Sequence, residues 1–270
     1  MNYPYYQVDA FAIKPFRGNP AAVILMEDTR EDKWLQAVAQ EINLSETAFL
    51  RPKGHDYELR WFTPTTEVDL CGHATIASAH ILYEFGYYDT DETISFHTLS
   101  GVLRSTFNRG TIELDMPRFG FSPAVPPAGL SDILKTDPLA LSESDNDMLI
   151  AELANESLVR QFSPDFDEIQ RLEYDGLALT ARSDDPKFDF ISRYFSPRTG
   201  IPEDPVTGMA HCALGPYWES KLMKSDFHAY QASARGGEVW VRLSDTRAFI
   251  GGKAVTVFKG EMLRQSKQEA

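Results

Sequence analysis

The chain has 270 residues, of which 43% are hydrophobic and 24% charged, a composition typical of a globular protein large enough to bury a core. Its 40 acidic and 26 basic residues give a net charge of −14, and such a field repels phosphate backbones, so we expect no binding to nucleic acid. No apolar run approaches the roughly 20 residues that span a bilayer, and the amino terminus lacks the basic region and apolar stretch of a secretion signal, so we expect no membrane association and a cytoplasmic location.

The two cysteines, Cys71 and Cys212, could form at most one disulfide, and in a cytoplasmic protein we expect both to be reduced. No Cys/His spacing resembles a structural zinc site, and the chain contains neither a Walker loop nor a G-x-G-x-x-G fingerprint. We therefore expect no metal and no cofactor.

The first part of the chain alternates apolar runs with turn residues. One helix is expected from an N-cap at Thr29 to about Glu41, and a second at residues 76–85. Strands are predicted at residues 5–11, 21–26, 46–50, 57–62, 93–97, 102–107 and 111–115. Residues 117–138 are rich in Pro, Gly and Ser without clear periodicity. We therefore predict a first lobe over residues 1–118 and a linker over residues 119–138.

The second lobe is predicted over residues 139–270, and its last strand could cross back to the first lobe. The polar stretch 141–147 is expected to be a solvated loop, 164–172 a short helix and 209–221 a longer one, with Asp204 as its N-cap. Strands are predicted at residues 148–151, 176–181, 188–195, 227–231, 238–243, 248–250 and 254–259. Each lobe is thus mostly strand with one principal helix, an α+β pattern in which the sheet wraps the helix.

One segment is nearly written twice. Residues 60–64 and 193–197 both read Arg-aromatic-Phe-Thr/Ser-Pro, and seven residues after each proline comes a turn rich in small and polar residues. These are the first turn, residues 71–75, and the second turn, residues 204–208, and each precedes a predicted helix. Because the offset is about half the chain, we predict two similar lobes whose turns oppose each other across a cleft.

Glu46 stands at the start of an apolar strand. A carboxylate that enters a buried element is unfavourable unless it is paired, hydrogen-bonded or functional. Taken alone, such a residue is more often at a strand edge facing solvent. At a lobe interface, however, it would be suited to transfer a proton near neutral pH.

The two turns carry further candidate groups. His73 could donate to a bound carboxylate or pass a proton, although a capping role is the ordinary alternative. Asp204 holds nearly the equivalent place in the second turn, where capping and function are compatible. Backbone N–H groups at the two helix starts would together form an anion site.

Thiol chemistry is a separate alternative. Cys71 is a candidate acid/base group because a helix N-terminus lowers the pKa of a thiol. A two-thiol racemase mechanism needs a second cysteine in the second turn, where Asp204 stands instead. Cys212 and His211 lie further along the predicted helix, and we expect both to pack in the core.

Several motifs resemble the PhzF family, the phenazine-biosynthesis-like isomerases. They cover residues 16–20, 45–49, 62–64, 71–75, 203–208 and 250–255 in the family's order. The resemblance implies a diaminopimelate-epimerase-like fold, with two similar lobes related by a pseudo-twofold axis, each a barrel-like, mostly antiparallel sheet around a central helix. It also implies cofactor-independent acid/base catalysis, with Glu46 as the catalytic carboxylate and His73 and Asp204 in the site.

The expected substrate is a small carboxylate, and the family's best-known member moves a proton on a dihydro-hydroxyanthranilate. The expected substrate-binding residues are Gly72, His73, Asp204, Thr207, Gly208 and Met209. Phenazine-type members usually carry a serine where this chain has Met209, so we expect that precursor to be a poor substrate.

The sequence leaves three functions open. The first is an isomerase; the second is a racemase or epimerase of the same fold; the third is a non-catalytic binding member. The third would be natural had Glu46, His73 or Asp204 been lost, but all three are present. The oligomeric state also stays open, with a homodimer as one alternative.

Overall fold

The computed structural model describes residues 2–263. They divide into two compact units: one comprises the residues up to Leu114 and those from Gly252 onward, and the other comprises Asp115–Gly251. No helix among the described residues is long and apolar enough to cross a bilayer.

The elements alternate short strands with a few helices. The first ten are β1 (Tyr3–Ala10), β2 (Asn19–Leu25), α1 (Asp32–Ile42), β3 (Glu46–Lys53), β4 (Asp56–Phe62), β5 (Glu67–Val68), α2 (Gly72–Glu84), β6 (Ile94–Thr98), β7 (Gly101–Asn108) and β8 (Thr111–Pro117). The next are β9 (Phe121–Pro123), α3 (Leu130–Leu134), β10 (Ala140–Ser144), β11 (Met148–Glu152), α4 (Glu156–Gln161), α5 (Phe166–Gln170), β12 (Gly176–Arg182), β13 (Phe190–Ser196), β14 (Ile201–Asp204), α6 (Gly208–Leu222), β15 (Asp226–Gln231), β16 (Gly237–Leu243) and β17 (Arg247–Gly252). The final strand, β18 (Ala254–Met262), pairs with β1.

In the first unit, a mostly antiparallel sheet packs around α2. β1 is antiparallel to β2 and β18, and α1 connects the parallel pair β2 and β3. β4 is antiparallel to β3 and β5 and parallel to β6, which continues antiparallel into β7 and β8. Alanines such as Ala74, Ala77 and Ala79 keep α2 thin, so that β1, β2, β3 and β18 can all contact it.

The second unit repeats this order of elements. β10 is antiparallel to β9 and β11, and α4 and α5 connect the parallel pair β11 and β12. β13 is antiparallel to β12 and β14 and parallel to β15, which continues antiparallel into β16 and β17. α6 takes the place of α2 and contacts β9 and β16. Each unit is therefore the mostly antiparallel sheet with a central helix that the sequence predicts.

The remaining helices cover the outer faces of the sheets. In the first unit, Leu35 and Ala39 of α1 pack on Phe49 and Phe62. In the second, Val159 of α4 and Ile169 of α5 belong to an apolar cluster with Leu179 and Phe195. Residues 119–138, for which the sequence predicts a linker, contain β9 and α3.

Three local predictions are wrong. Residues 141–147 are not a solvated loop, because β10 occupies most of them and pairs with β9 and β11 on either side. Ser142 and Ser144 point inward and Glu143 outward, so the strand alternates although its residues are polar.

The other two errors concern helix starts. The N-cap of α1 is Glu31, not Thr29, and the first-turn acid Asp32 pairs with Arg60 at 2.8 Å instead of closing a capping box. Asp204 is not the N-cap of α6, because it ends β14 opposite Tyr194. The helix begins only after Thr207.

Candidate functional site

Glu46 is the first residue of β3, and its position is fixed where β3 begins to pair in parallel with β2. Asn43 ends α1 in the left-handed conformation, φ 53°, and turns the chain towards β3. The hydroxyl of Ser45 then donates to Pro20 O, with Asn19 Oδ1 also 3.3 Å away, which fixes the entry of the strand. Glu46 pairs in register with Ala21.

Glu46 and His73 form a buried pair. Oε2 of Glu46 lies 3.1 Å from Nε2 of His73, and the two residues are only 7% and 6% exposed. The contact has the distance of an ion pair but not the alignment of a hydrogen bond, and within residues 2–263 neither atom has a hydrogen-bond partner. Catalytic hydrogen bonds are often poorly aligned in the free enzyme and tighten when substrate binds. The pair therefore has the features of a proton-transfer site.

Cys71 extends this pair on the other side of the imidazole. Its Sγ lies 3.5 Å from Nδ1 of His73, so the ring stands between the thiol and the carboxylate. Glu46, Cys71 and His73 each offer a ligand atom within 4.8 Å of the others, a spacing that could hold a metal ion. A single ion, however, binds one imidazole nitrogen, whereas here each nitrogen faces a different neighbour. The order carboxylate–imidazole–thiol suits a chain of proton donors and acceptors better than a metal centre.

In this cluster the pKa values of both His73 and Cys71 are raised. Desolvation lowers the pKa of His73, but the charges of Cys71 and Glu46 and the contacts with them outweigh it and raise the pKa well above its usual value. Burial, followed by the negative charge of Glu46, raises the pKa of Cys71. The expectation that the helix N-terminus lowers the pKa of this thiol is therefore wrong.

The start of α2 is free of side-chain caps. Cys71 is its extended N-cap residue, φ −143° and ψ 107°, and makes no capping hydrogen bond. The hydroxyl of Thr75 donates to the carbonyl of Cys71 at 2.5 Å, which holds the first turn closed. Gly72 is half-buried beside His73. Helix N-termini of this kind favour anions.

The second turn has a carboxylate–hydroxyl pair. Thr207 Oγ1 donates to Asp204 Oδ2 at 2.5 Å, and Thr207 is the extended N-cap of α6 without a side-chain cap to the helix. Gly208 is buried and Met209 half-buried in the first turn of the helix. The start of α6 thus also has no side-chain cap.

Two residues that hold the second turn were missed by the sequence analysis. Gln231, at the end of β15, bonds to Asp204 and Thr207, and Ser233 Oγ donates to Pro205 O at 2.8 Å. The sequence does indicate that Gln231 is buried, because it alternates with Phe227 and Ala229 and so lies on the same face of its strand. A buried amide needs partners.

His211 and Cys212 pack in the core of the second unit, as predicted. Both are fully buried, and His211 stacks on Phe190 with ring centroids 6.0 Å apart. Its Nδ1 lies 2.8 Å from Thr207 O. Burial lowers the pKa of His211 to about 4 and raises the pKa of Cys212 to about 12. Both cysteines are free.

The predicted site residues thus form two groups, each within one unit. Glu46, Gly72 and His73 lie together at the start of α2. Asp204, Thr207, Gly208 and Met209 lie together at the start of α6.

Comparison with known proteins gives consistent matches along the chain. The family model PhzC-PhzF, phenazine biosynthesis-like protein, matches residues 8–260. An uncharacterized isomerase of Halalkalibacterium halodurans is 48% identical over 264 residues, which cover 97% of this chain and 99% of that protein. A solved PhzF-family phenazine biosynthesis protein from Enterococcus faecalis is 40% identical with a TM-score of 0.93, over 98% of this chain and 100% of that one.

The fold alone extends to more distant proteins. A predicted epimerase from Pseudomonas aeruginosa, 23% identical, superposes with a TM-score of 0.74 over 98% of this chain and 100% of that one. The α+β fold class predicted from the sequence is confirmed by these neighbours.

Proposed function

The chain belongs to the PhzC-PhzF family of phenazine biosynthesis-like proteins, and from this membership we propose that it is an isomerase that moves a proton on a small carboxylated metabolite by acid/base chemistry. The resemblance seen in the motifs is confirmed by the same matches. A relative that is nearly half identical carries the name isomerase, which supports the reaction class but leaves the substrate open.

The observation that carries the proposal is the buried pair of Glu46 and His73 at the uncapped start of α2. A carboxylate with so little exposure is retained in a fold when it is paired or used. Its neighbour His73 has a raised pKa and therefore supplies positive charge next to it. Perturbed ionisable groups in such a cluster are typical of catalytic sites.

In the proposed reaction, the substrate carboxylate binds at the N–H groups of Gly72 and His73, where the helix dipole favours an anion. Glu46 removes a proton from a carbon atom: the C–H bond breaks, an O–H bond forms on Glu46, and the electron pair moves into the conjugated system of the substrate. The imidazolium of His73 stabilises the negative charge that develops. The O–H bond of Glu46 then breaks as a C–H bond forms at another carbon, so no atom is gained or lost.

The second turn is a separate part of the proposal. The prediction that Asp204, Thr207, Gly208 and Met209 contact the same substrate stays a prediction. Its support is the open start of α6 and the fixed carboxylate of Asp204. Met209 offers no hydroxyl donor, which favours a substrate that is less polar at that point than a dihydro-hydroxyanthranilate.

Epimerisation is the second candidate function, because Cys71 provides a third acid/base group in contact with His73. An epimerase removes a proton from one face of a carbon and returns one to the other face. The two reactions therefore differ in their products: isomerisation moves a double bond, whereas epimerisation inverts a stereocentre.

A deuterium experiment tests the proposal. The protein is incubated in deuterated water with a panel of small carboxylic acids, including the dihydro-hydroxyanthranilate, and NMR detects deuterium on carbon and the form of the product. We expect Glu46→Gln, which keeps the shape but removes the base, to lower the rate of incorporation by about 10²–10⁴.

The matched control is Glu41→Gln, an exposed carboxylate on α1, which should leave the rate unchanged. Incorporation at the wild-type rate by a folded Glu46→Gln protein would remove Glu46 from the mechanism.

A further inference from the structure

Gln231 is a fully buried amide at the end of β15, on the same face as Phe227 and Ala229. No step of the proposed reaction uses it. A buried carboxamide in an apolar face is unfavourable unless its donors and acceptor are all satisfied. Gln231 satisfies them entirely on the second turn.

Three hydrogen bonds join this side chain to the turn. Thr207 N donates to Gln231 Oε1 at 2.8 Å, and Gln231 Nε2 donates to Asp204 O at 2.8 Å and to Thr207 Oγ1 at 3.2 Å. The orientation of the amide is fixed by these partners, since a backbone N–H can only donate and a carbonyl can only accept.

The third bond has a consequence for Asp204. Because the hydroxyl of Thr207 accepts from Nε2 of Gln231, its single proton is directed away from the amide. That proton is donated to Oδ2 of Asp204 at 2.5 Å. The amide, the hydroxyl and the carboxylate thus form a hydrogen-bond chain with one direction.

We propose that Gln231 is a positioning residue: it holds the Asp204–Thr207 turn in its non-helical form and directs the Thr207 hydroxyl onto the carboxylate of Asp204. The inference rests on the proposed function, in which Asp204 contacts the substrate. Within residues 2–263 the hydrogen bonds of the Gln231 side chain all go to the turn. Ser233 reinforces the same arrangement through its bond to Pro205.

Two substitutions separate the parts of this role. Gln231→Met keeps the length of the side chain and removes all three bonds. Gln231→Glu keeps the acceptor for Thr207 N but removes both donors, and it accepts the hydroxyl proton that Asp204 receives in the wild type. Gln170→Glu and Gln170→Met, at an exposed position on α5, are the matched controls.

The first measurement needs no substrate. Hydrogen exchange followed by NMR should show the Thr207 amide exchanging up to about tenfold faster in Gln231→Met, because one hydrogen bond is lost, and near the wild-type rate in Gln231→Glu. Unchanged protection of this amide in Gln231→Met would overturn the proposal. Should Gln231→Met not fold, Thr207→Val and Gln231→Glu supply the test described next.

The second measurement is the rate of deuterium incorporation into whichever acid the panel identifies. Gln231→Glu and Thr207→Val should each slow it about tenfold, and the double variant should be no slower than either one, because both remove the same bond to Asp204. Additive losses, or a wild-type rate in Gln231→Glu, would reduce Gln231 to a structural residue and overturn the proposal. Glu46→Gln distinguishes the two hypotheses, since its failure to slow the reaction contradicts the proposed function and leaves the Thr207 exchange result standing.

Discussion

The two copies of the repeated segment have the same order of strands, but their helices α2 and α6 begin at different distances from the repeated proline. α2 begins eight residues after Pro64, whereas α6 begins eleven residues after Pro197. The longer segment between Pro197 and α6 contains Asp204, which accepts hydrogen bonds from Gln231 and Thr207. The two copies thus have the same order of strands and differ just before the central helix, where the candidate site residues lie.

The repeated arginines hold neighbouring strands together. Arg60 makes a two-pronged ion pair with Glu67, at 2.6 and 2.7 Å, and so ties β4 to β5. Arg193 makes the same kind of pair with Glu203, at 2.7 and 2.9 Å, and ties β13 to β14. The planar guanidinium suits this geometry, which explains why both copies carry arginine here.

The residues that are not repeated include the catalytic candidate. Thr47 pairs with Phe62, and Leu177 pairs with the equivalent Phe195, so the position equivalent to Glu46 is Gly176. A Cβ atom at Gly176 would lie 2.1 Å from the hydroxyl of Tyr194. One copy therefore keeps a carboxylate where the other keeps space for a tyrosine, which means that duplication of the fold did not produce two equal acid/base centres.

Two buried histidines extend this comparison because their pKa values are shifted in opposite directions. The pKa of His73, in the first turn of α2, is raised, whereas burial lowers the pKa of His211, in α6, to about 4. An unfolded chain binds a proton on histidine near pH 6.5. Stability due to His211 is therefore present above pH 6.5 and lost as the pH falls towards 4, while stability due to His73 is present below pH 6.5 and lost as the pH rises through its higher pKa.

We predict that between pH 6.5 and 4 the wild type loses about 3 kcal/mol more unfolding free energy than His211→Gln. Urea denaturation at a series of pH values measures this difference, and NMR titration of the imidazoles assigns it. If both histidines titrated near pH 6.5, the electrostatic contrast between the two helices would not exist.

The second prediction concerns Gly176. Gly176→Ala should lower the unfolding free energy by about 1–3 kcal/mol, because the new methyl group overlaps the ring and hydroxyl of Tyr194. Gly260→Ala is the matched control, since a Cβ atom there meets nothing within 4 Å. Equal stabilities of the two variants in urea denaturation would contradict the account of why this copy lacks a carboxylate.

Much of the fold could be predicted from local patterns. The apolar runs of β2, β3 and β11 predict strands directly. The repeat predicts α2 and α6 because each helix follows the same strand and turn. β10 could not be predicted in this way, because its polar residues are held in a strand by pairing with β9 and β11. Tertiary pairing outweighs composition there.

Part of the candidate site could also be predicted from local sequence, and part could not. Glu46 and His73 could be named from motifs, and the structure brings their side chains to 3.1 Å. The residue that caps α6 could not be predicted, since the bond that holds Thr207 outside the helix comes from Gln231, 24 residues further along the chain. The direction in which the Cys71 pKa is shifted also depends on a residue distant in sequence. Burial and the charge of Glu46 raise this pKa, and they outweigh the lowering expected from the local helix N-terminus.

The smallest expected effect is that of removing both thiols. Two-thiol chemistry needs a cysteine in each turn, and the second turn has Asp204 instead. Both thiols also have raised pKa values, Cys71 through burial and the charge of Glu46 and Cys212 through burial, so neither is a ready thiolate at neutral pH. A Cys71→Ser, Cys212→Ala double variant should therefore incorporate solvent deuterium at a rate within about tenfold of the wild type, since loss of a true acid/base group would slow it more. Serine at position 71 keeps a hydroxyl beside Nδ1 of His73, which makes the test specific to the thiol. Abolished incorporation in a folded double variant would move the proton transfer to Cys71 and favour the epimerase.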